Sequence, residues 1–125
     1  MDYNALIPEF EVSDIEQSKQ FYIDLLGFKL EYERPEDQFV FLSKEGSQLM
    51  LEQTTDKELV YPFGRGVNFS FGISDVENLY EQVVAAEYPI HRPLVTREFR
   101  VGDHVVTPKE FSVLDPDGYF LRFSD

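Results

Sequence analysis

The 125-residue sequence contains no cysteine and no tryptophan, and its basic residues are few. Without cysteine the chain has no disulfide, no thiolate metal ligand and no cysteine nucleophile. The 11 basic residues face 24 acidic ones, which gives a formal net charge of −13. Because nucleic-acid binding requires clustered Lys and Arg, we expect no nucleic-acid partner. A negative field attracts cationic ligands, although solubility alone also accounts for the charge.

Long apolar runs are also missing. None approaches the roughly 20 residues that a membrane-spanning helix needs. A signal peptide has a basic region followed by an apolar stretch, and residues 1–6 have neither. We therefore expect a cytoplasmic protein with no membrane partner. Hydrophobic residues make up 42% of the chain and aromatic residues 15%, which is typical of a folded protein. The length predicts a single domain over residues 1–125.

A short internal repeat organises the sequence. Residues 12–16 (VSDIE) recur 61 residues later as residues 73–77 (ISDVE). Each copy contains Ser-x-x-Glu, a capping-box pattern in which the serine and the glutamate satisfy free backbone amides at a helix start. Apolar residues at helical spacing follow each copy. The sequence therefore predicts two helices, the first ended by Gly27 and the second by Pro89.

Alternating apolar and polar residues predict strands around each helix. The strand candidates are residues 6–12, 28–33, 39–43 and 48–53 in the first half, and 68–73, 90–99, 109–114 and 119–124 in the second. The polar segment at about residues 54–66 is interpreted as a flexible linker between the halves. We therefore predict an α+β fold in which two βαβββ modules, at about residues 1–55 and 67–125, form a curved mixed sheet around a cleft.

The two faces of the predicted strands differ in polarity. We expect the apolar faces, with Phe69 and Phe71 for example, to pack under the helices. The opposite faces would line the cleft with Glu9, Glu11, Met50, Glu52, Asn68, Ser70, Phe120 and Arg122. A mixed lining of this kind is typical of a solvated pocket, although an open sheet facing bulk water has the same alternation.

Several motifs resemble the vicinal-oxygen-chelate superfamily of glyoxalases, bleomycin-resistance proteins and dioxygenases. Residues 12–22 (VSDIEQSKQFY) and 26–28 (LGF) resemble its opening pattern, V-x-D-h-x-x-S-x-x-F-Y…L-G-F, where h is apolar. Residues 115–119 (DPDGY) resemble its closing D-P-D/A-G turn. The segments most similar to the bleomycin-resistance branch are residues 49–52, 76–80 and 110–114. The resemblance covers essentially the whole chain.

This resemblance implies a partner as well as a fold. Proteins of the bleomycin-resistance branch are usually homodimers with two crevices at the interface, and they often exchange an N-terminal strand. Pro8 falls where those proteins carry a proline associated with the exchange. An ordinary edge-strand proline explains Pro8 equally well. We therefore expect a homodimer that binds a small molecule, with the strand exchange left open.

The resemblance further implies four metal-ligand positions, which fall on Ile7, Glu52, Asn68 and Arg122. Ile7 has no donor atom, Asn68 replaces histidine poorly, and Arg122 is a permanent cation, so only Glu52 is a competent ligand. We therefore expect no metal and no other cofactor. Glu52 and Arg122 should instead face each other across the cleft, either as a structural ion pair or with Arg122 contacting an acidic ligand group.

The functional expectation is a metal-independent protein that sequesters a cationic or aromatic, drug-like ligand in an interface cleft. The candidate ligand-binding residues are Phe39, Phe41, Glu52, Asn68, Phe120 and Arg122. Phe39 and Phe41 share a strand face that would stack on flat rings, or else they belong to the core. We predict no catalytic residue. The alternative is a metal-dependent enzyme of the glyoxalase or dioxygenase type, with ligands outside the family positions. Resistance proteins carry Trp-Gly before the strand at Glu110, and this chain has Thr107-Pro108 instead, which leaves the ligand open.

Overall fold

The computed structural model describes all 125 residues. In the first half, β1 (Glu9–Val12), α1 (Ile15–Lys19), a π-helical segment (Gln20–Leu25), β2 (Lys29–Arg34), a 3-10 turn (Pro35–Asp37), β3 (Phe39–Lys44) and β4 (Ser47–Gln53) follow in order. The second half contains β5 (Asn68–Gly72), α2 (Val76–Ala85), β6 (Arg92–Thr96), β7 (Phe99–Val101), β8 (His104–Val106), β9 (Lys109–Leu114) and β10 (Phe120–Ser124). None of the helices combines the length and apolar character that a membrane crossing requires.

Each half builds a four-stranded mixed sheet. Sheet 1 has the strand order β1-β4-β3-β2, and sheet 2 has the order β5-β10-β9-β6. The parallel pairs are β1 with β4 in sheet 1 and β5 with β10 in sheet 2. All other strand pairs in the two sheets are antiparallel. The predicted α+β fold with curved mixed sheets is confirmed. The two four-stranded sheets are separate, because no strand pair joins the halves, and β7 and β8 form a third, two-stranded sheet.

A single core connects the two halves. It contains 22 buried apolar side chains, drawn from both sheets and both helices. Phe10 of β1 stacks on Tyr119 with ring centroids 4.1 Å apart, and Phe28 packs edge-on against Phe71 of β5 at 5.7 Å. Because these rings come from different halves, each half covers apolar surface that the other would expose to water.

The predicted capping boxes are wrong. Asp14 accepts hydrogen bonds from two first-turn amides of α1, and Asp75 accepts one in α2. Aspartate at this position already satisfies the free amides, so the preceding serine is not needed as a cap. Ser13 instead donates its hydroxyl to Asp117, at 2.5 Å, before the last strand. The repeated motif therefore starts each helix through its aspartate.

The first helix is not α-helical throughout. Its second part is π-helical, and the amide of Leu26 donates to the carbonyl of Phe21, five residues earlier. The wider turn places Phe21, Tyr22 and Leu26 in the core, although the first two are adjacent in sequence. Gly27 follows with φ +79°, as predicted for the end of the helix. Packing of these side chains thus overrides the regular α-helical spacing.

Two segments outside the main sheets differ from the prediction. The expected strand over residues 90–99 ends at Thr96, and the chain then forms the hairpin β7–β8 around Gly102, whose φ is +62°. The segment between β4 and β5, interpreted above as a linker, makes a contact with the second half. Phe63 is buried there, and its amide donates to the carbonyl of Asp117 at 2.8 Å. An apolar side chain in a polar segment was the sequence signal for this contact.

Candidate functional site

Each sheet has one face that points away from the shared core. Since side chains alternate along a strand and paired residues share a face, the register defines both sets. Face 1, on sheet 1, carries Glu9, Glu11, Tyr32, Phe39, Phe41, Met50 and Glu52. Face 2, on sheet 2, carries Asn68, Ser70, Arg92, Glu110, Ser112, Phe120 and Arg122. Three of the six predicted ligand-binding residues lie on each face.

The phenylalanines of face 1 are covered by other side chains. Phe39 and Phe41 are only 5% and 1% exposed, although neither belongs to the shared core. Tyr32 stacks on Phe41 at 5.1 Å between ring centroids, and the Arg34 guanidinium lies 4.0 Å above the ring of Phe39. Tyr3 packs edge-on against Phe41 at 5.5 Å. Face 1 is therefore an aromatic cluster of its own.

Tyr3 belongs to an N-terminal arm, residues 1–8, that lies on sheet 1 of its own chain. The amide of Asn4 donates to Gln48 at 2.7 Å, and the Gln48 amide group donates to the carbonyl of Asp2 at 2.7 Å. Tyr3 itself is 58% exposed, so it covers Phe41 without being enclosed. A ring that displaced Tyr3 would meet the same surface of Phe41.

Carboxyl groups lie beside the aromatic rings. Glu11 pairs with Glu52 in the parallel register of β1 and β4, and Glu52 also pairs with Phe39 of β3. Although Glu9 is exposed at the sheet edge, partial burial and a hydrogen bond with Glu52 raise the pKa of Glu9. Two neighbouring carboxyls that compete for one proton favour the approach of a cation. Face 1 thus combines negative charge with aromatic surface.

On face 2, Arg122 is held within its own sheet. Its Nε and Nη2 donate to Oε1 of Glu110 at 3.0 and 2.8 Å, and its Nη1 donates to Oδ1 of Asn68 at 3.2 Å. The predicted ion pair between Glu52 and Arg122 does not form within one chain, where Arg122 pairs with Glu110 instead. From the sequence, Glu110 was not predicted as the partner of Arg122. Glu110 lies on the adjacent strand β9, so its side chain reaches Arg122 directly. The polar alternation of residues 109–114 was the signal that would have found it.

Phe120 also keeps its contacts within sheet 2. His91 packs edge-on against its ring at 4.9 Å, and the Arg92 guanidinium lies 5.5 Å from its centroid. The contacts of Phe39 and Phe41 likewise remain within the arm and sheet 1. One chain therefore presents the six predicted residues as two groups of three.

The residues at the four positions that the resemblance implies for metal ligands are not suited to bind a metal ion. Arg122 donates to the Asn68 oxygen that a metal would need, so a permanent cation already uses this donor. Ile7 offers no donor atom, and Glu52 lies on the other sheet beside Glu9. No group of three or more His, Asp or Glu side chains is arranged to hold a metal ion. The family positions therefore give one ligand instead of four.

A buried carboxyl group lies away from both faces. Asp115, at the turn between β9 and β10, accepts from the Tyr22 hydroxyl at 2.6 Å and from the amides of Asp117 and Tyr119 at 2.9 Å. Burial raises the pKa of Asp115 to about 6, and its hydrogen bonds oppose this rise. A cavity of about 300 Å³ adjoins the group. Because two of these bonds hold the turn and the third ties the turn to the first helix, we assign Asp115 to the structure of the protein.

Comparison with known proteins identifies the family. A model of the glyoxalase/bleomycin resistance protein/dioxygenase superfamily matches residues 9–123, and the chain therefore belongs to this superfamily. A solved member of the superfamily from Vibrio splendidus 12B01 is 38% identical over 93% of both chains, with a TM-score of 0.42. No curated protein sequence matches the chain.

Two further solved structures share the fold at lower identity. TioX from Micromonospora sp. ML1 is 19% identical over 98% of both chains, with a TM-score of 0.73. A lactoylglutathione lyase from Agrobacterium tumefaciens is 18% identical over 99% of this chain and 95% of its own, with a TM-score of 0.63. At such identities the likeness concerns the fold, and the ligand has to be argued from the side chains of this chain.

Proposed function

We propose that this protein binds a small cationic aromatic molecule without a metal ion and sequesters it, in the manner of the bleomycin-resistance branch that its motifs resemble. Face 1 carries the proposal, since its aromatic cluster borders the carboxyl groups of Glu9 and Glu52. No bond is made or broken in this function. The metal positions support it, because Arg122 and Ile7 leave the family's metal chemistry without ligands.

The energetics of face 1 favour a cation with a flat ring. A cation about 4 Å from one carboxylate gains about 1 kcal/mol in water and about 4 kcal/mol at the effective dielectric of a protein surface. Contact between a cation and an aromatic face adds about 0.5–2 kcal/mol. The raised pKa of Glu9 gives this binding a pH dependence. A cation favours the ionised carboxyl, so affinity should fall as acidification protonates Glu9.

Isothermal titration calorimetry with proflavine, a planar cation, tests this proposal directly. We expect Glu52→Gln to weaken binding about tenfold, equivalent to about 1.4 kcal/mol. Glu81→Gln is the matched control, because this exposed residue of α2 is remote from both faces. Wild-type affinity no tighter than about 1 mM, for proflavine and for bleomycin alike, would refute the proposal. Equimolar Mn, Fe, Ni or Zn in protein purified without chelators would refute metal independence.

We also propose that two copies associate and that face 2 of one copy completes the cleft over face 1 of the other. Two observations support association. One chain keeps its two groups of candidate residues on separate sheets, and the apolar side chain of Leu6, in the arm, is 85% exposed. Light scattering on a sizing column should give twice the chain mass of 14.6 kDa. A single-chain mass at all concentrations tested would contradict the dimer.

Exchange of the N-terminal arm is tested separately by disulfide trapping, which the cysteine-free chain permits. Asn4→Cys combined with Gln48→Cys joins the arm to β4, since the amide of Asn4 and the Gln48 side chain lie 2.7 Å apart. Exchanged arms give a covalent dimer on a denaturing gel. Arms that stay on their own sheet give an internally bridged monomer, which contradicts exchange.

A further inference from the structure

Face 2 carries a row of positive side chains whose charge plays no part in the proposed binding of a cation. The register of β10, β9 and β6 places Arg122, Ser112 and Arg92 side by side on three neighbouring strands. Directly paired residues present their side chains on the same face, so the serine lies between two arginines. In a chain of net charge −13, two guanidinium groups so close together mark a local reversal of charge.

The surrounding charges do not cancel this reversal. Arg97 lines the same small pocket, and its Nε lies 3.9 Å from Glu110. Glu110, the one acidic residue lining the pocket, is already engaged by Arg122 at 2.8 Å. Arg92 has no carboxylate within 4 Å, and its guanidinium lies 5.5 Å from the centre of the Phe120 ring. Three arginines and one glutamate leave a formal charge of +2.

Ser112 gives a second, independent indication of a ligand. Its side chain is only 2% exposed, and its hydroxyl has no hydrogen-bond partner in the folded chain. Buried hydroxyl groups are nearly always paired, and those that are not call for an explanation. The Ser112 side chain lines the same pocket as Arg92 and Arg122. Its hydroxyl is therefore available to donate to an acceptor that enters between the two arginines.

We propose that this row is a carboxylate-binding site for the acidic group of a small aromatic acid. Arg92 and Ser112 bind the carboxylate oxygens, and Arg122 adds positive charge while it remains paired with Glu110. The pocket measures about 20 Å³, so only the charged end of a ligand enters it, and an attached ring lies against Phe120. Inorganic phosphate has no ring to lie against Phe120, so it lacks the aromatic contact that a benzoate would make. Within one chain the site lies on the opposite sheet from face 1, and in the proposed dimer it lies across the cleft from face 1 of the other copy.

Titration with benzoate at low ionic strength tests the site. We expect benzoate to bind, while benzyl alcohol, which lacks the charge, and inorganic phosphate bind at least tenfold more weakly. Arg92→Gln should weaken benzoate binding at least tenfold. This variant should fold normally, because Arg92 is exposed and makes no hydrogen bond through its side chain. Arg100→Gln, on β7 outside the row, is the matched control and should leave the affinity unchanged.

Ser112→Ala should weaken benzoate binding several-fold and leave the thermal midpoint of the free protein unchanged, because the hydroxyl has no partner to lose. Arg92→Gln removes positive charge and should not weaken proflavine binding, and Glu52→Gln removes negative charge and should not weaken benzoate binding, so the two proposals fail separately. The carboxylate site is overturned if benzoate does not bind, if phosphate binds more tightly, or if Arg92→Gln and Arg100→Gln have equal effects.

Discussion

The buried Asp115 makes the stability of this protein depend on pH in a defined direction. Its pKa is raised from the ordinary value of 3.8 to about 6, chiefly because burial disfavours the charged form. Between these values the unfolded chain loses the proton while the folded chain retains it. Stability from this group is therefore full below about pH 4 and falls as the pH rises to about 6.

The size of the effect follows from the shift in pKa. Two units, at about 1.4 kcal/mol each, correspond to about 3 kcal/mol of stability lost across this range. Asp115→Asn removes the titration and keeps the shape of the side chain. The amide oxygen still accepts from Asp117 and Tyr119, and the amide nitrogen faces the Tyr22 oxygen. The difference in unfolding free energy, wild type minus variant, should therefore fall by about 2 kcal/mol between pH 4 and 6.5, the window that covers most of the titration.

Urea unfolding followed by circular dichroism at half-unit pH steps measures this difference. Titration of other acids affects both proteins equally and cancels in the comparison. Tyr22→Phe supplies a second check, because the Tyr22 hydroxyl bond lowers the pKa of Asp115. Its removal should move the transition to higher pH. Parallel stability curves for wild type and Asp115→Asn from pH 4 to 6.5 would refute the reasoning.

Two more changes test the packing of the chain. Gly118→Ala should destabilise the protein by more than about 2 kcal/mol, because φ is +92° and a Cβ would lie 2.6 Å from the Cα of Pro62. Gly102→Ala, with φ +62° and no atom within 4 Å, should cost only about 1 kcal/mol in the same denaturation assay. Tyr3→Ala should tighten proflavine binding roughly 2- to 10-fold by calorimetry, because the ligand no longer displaces an edge-on contact with Phe41. Unchanged or weaker binding would show that Tyr3 does not compete with the ligand.

The strand alternation predicted which residues share a face, and the register bears this out. Phe39, Phe41 and Glu52 lie together on sheet 1, since a period of two fixes the side of each residue. Alternation does not tell which sheet faces which. Within one chain Arg122 therefore pairs with Glu110 on the neighbouring strand and not with Glu52 on the other sheet.

The arm over face 1 was beyond sequence reasoning for a different reason. Tyr3 and Asn4 lie in a segment with no periodic pattern, and their positions depend on Gln48 and Phe41, about 40 residues later. Ser112 is a similar case, since nothing in its local sequence shows that its hydroxyl lacks a partner. Such features arise from tertiary contacts, which the amino-acid sequence alone does not reveal.

The stacking of Phe10 on Tyr119 cannot form until nearly the whole chain has been synthesised. The two rings lie 4.1 Å apart in space, and the second is made about 110 residues after the first. At roughly 5–20 residues per second, Phe10 emerges from the ribosome several seconds before its partner exists. Until then the apolar side of the newly made β1 has no cover from the second half. The nascent chain is therefore most open to aggregation or chaperone binding after β4 is complete and before β10 has been added.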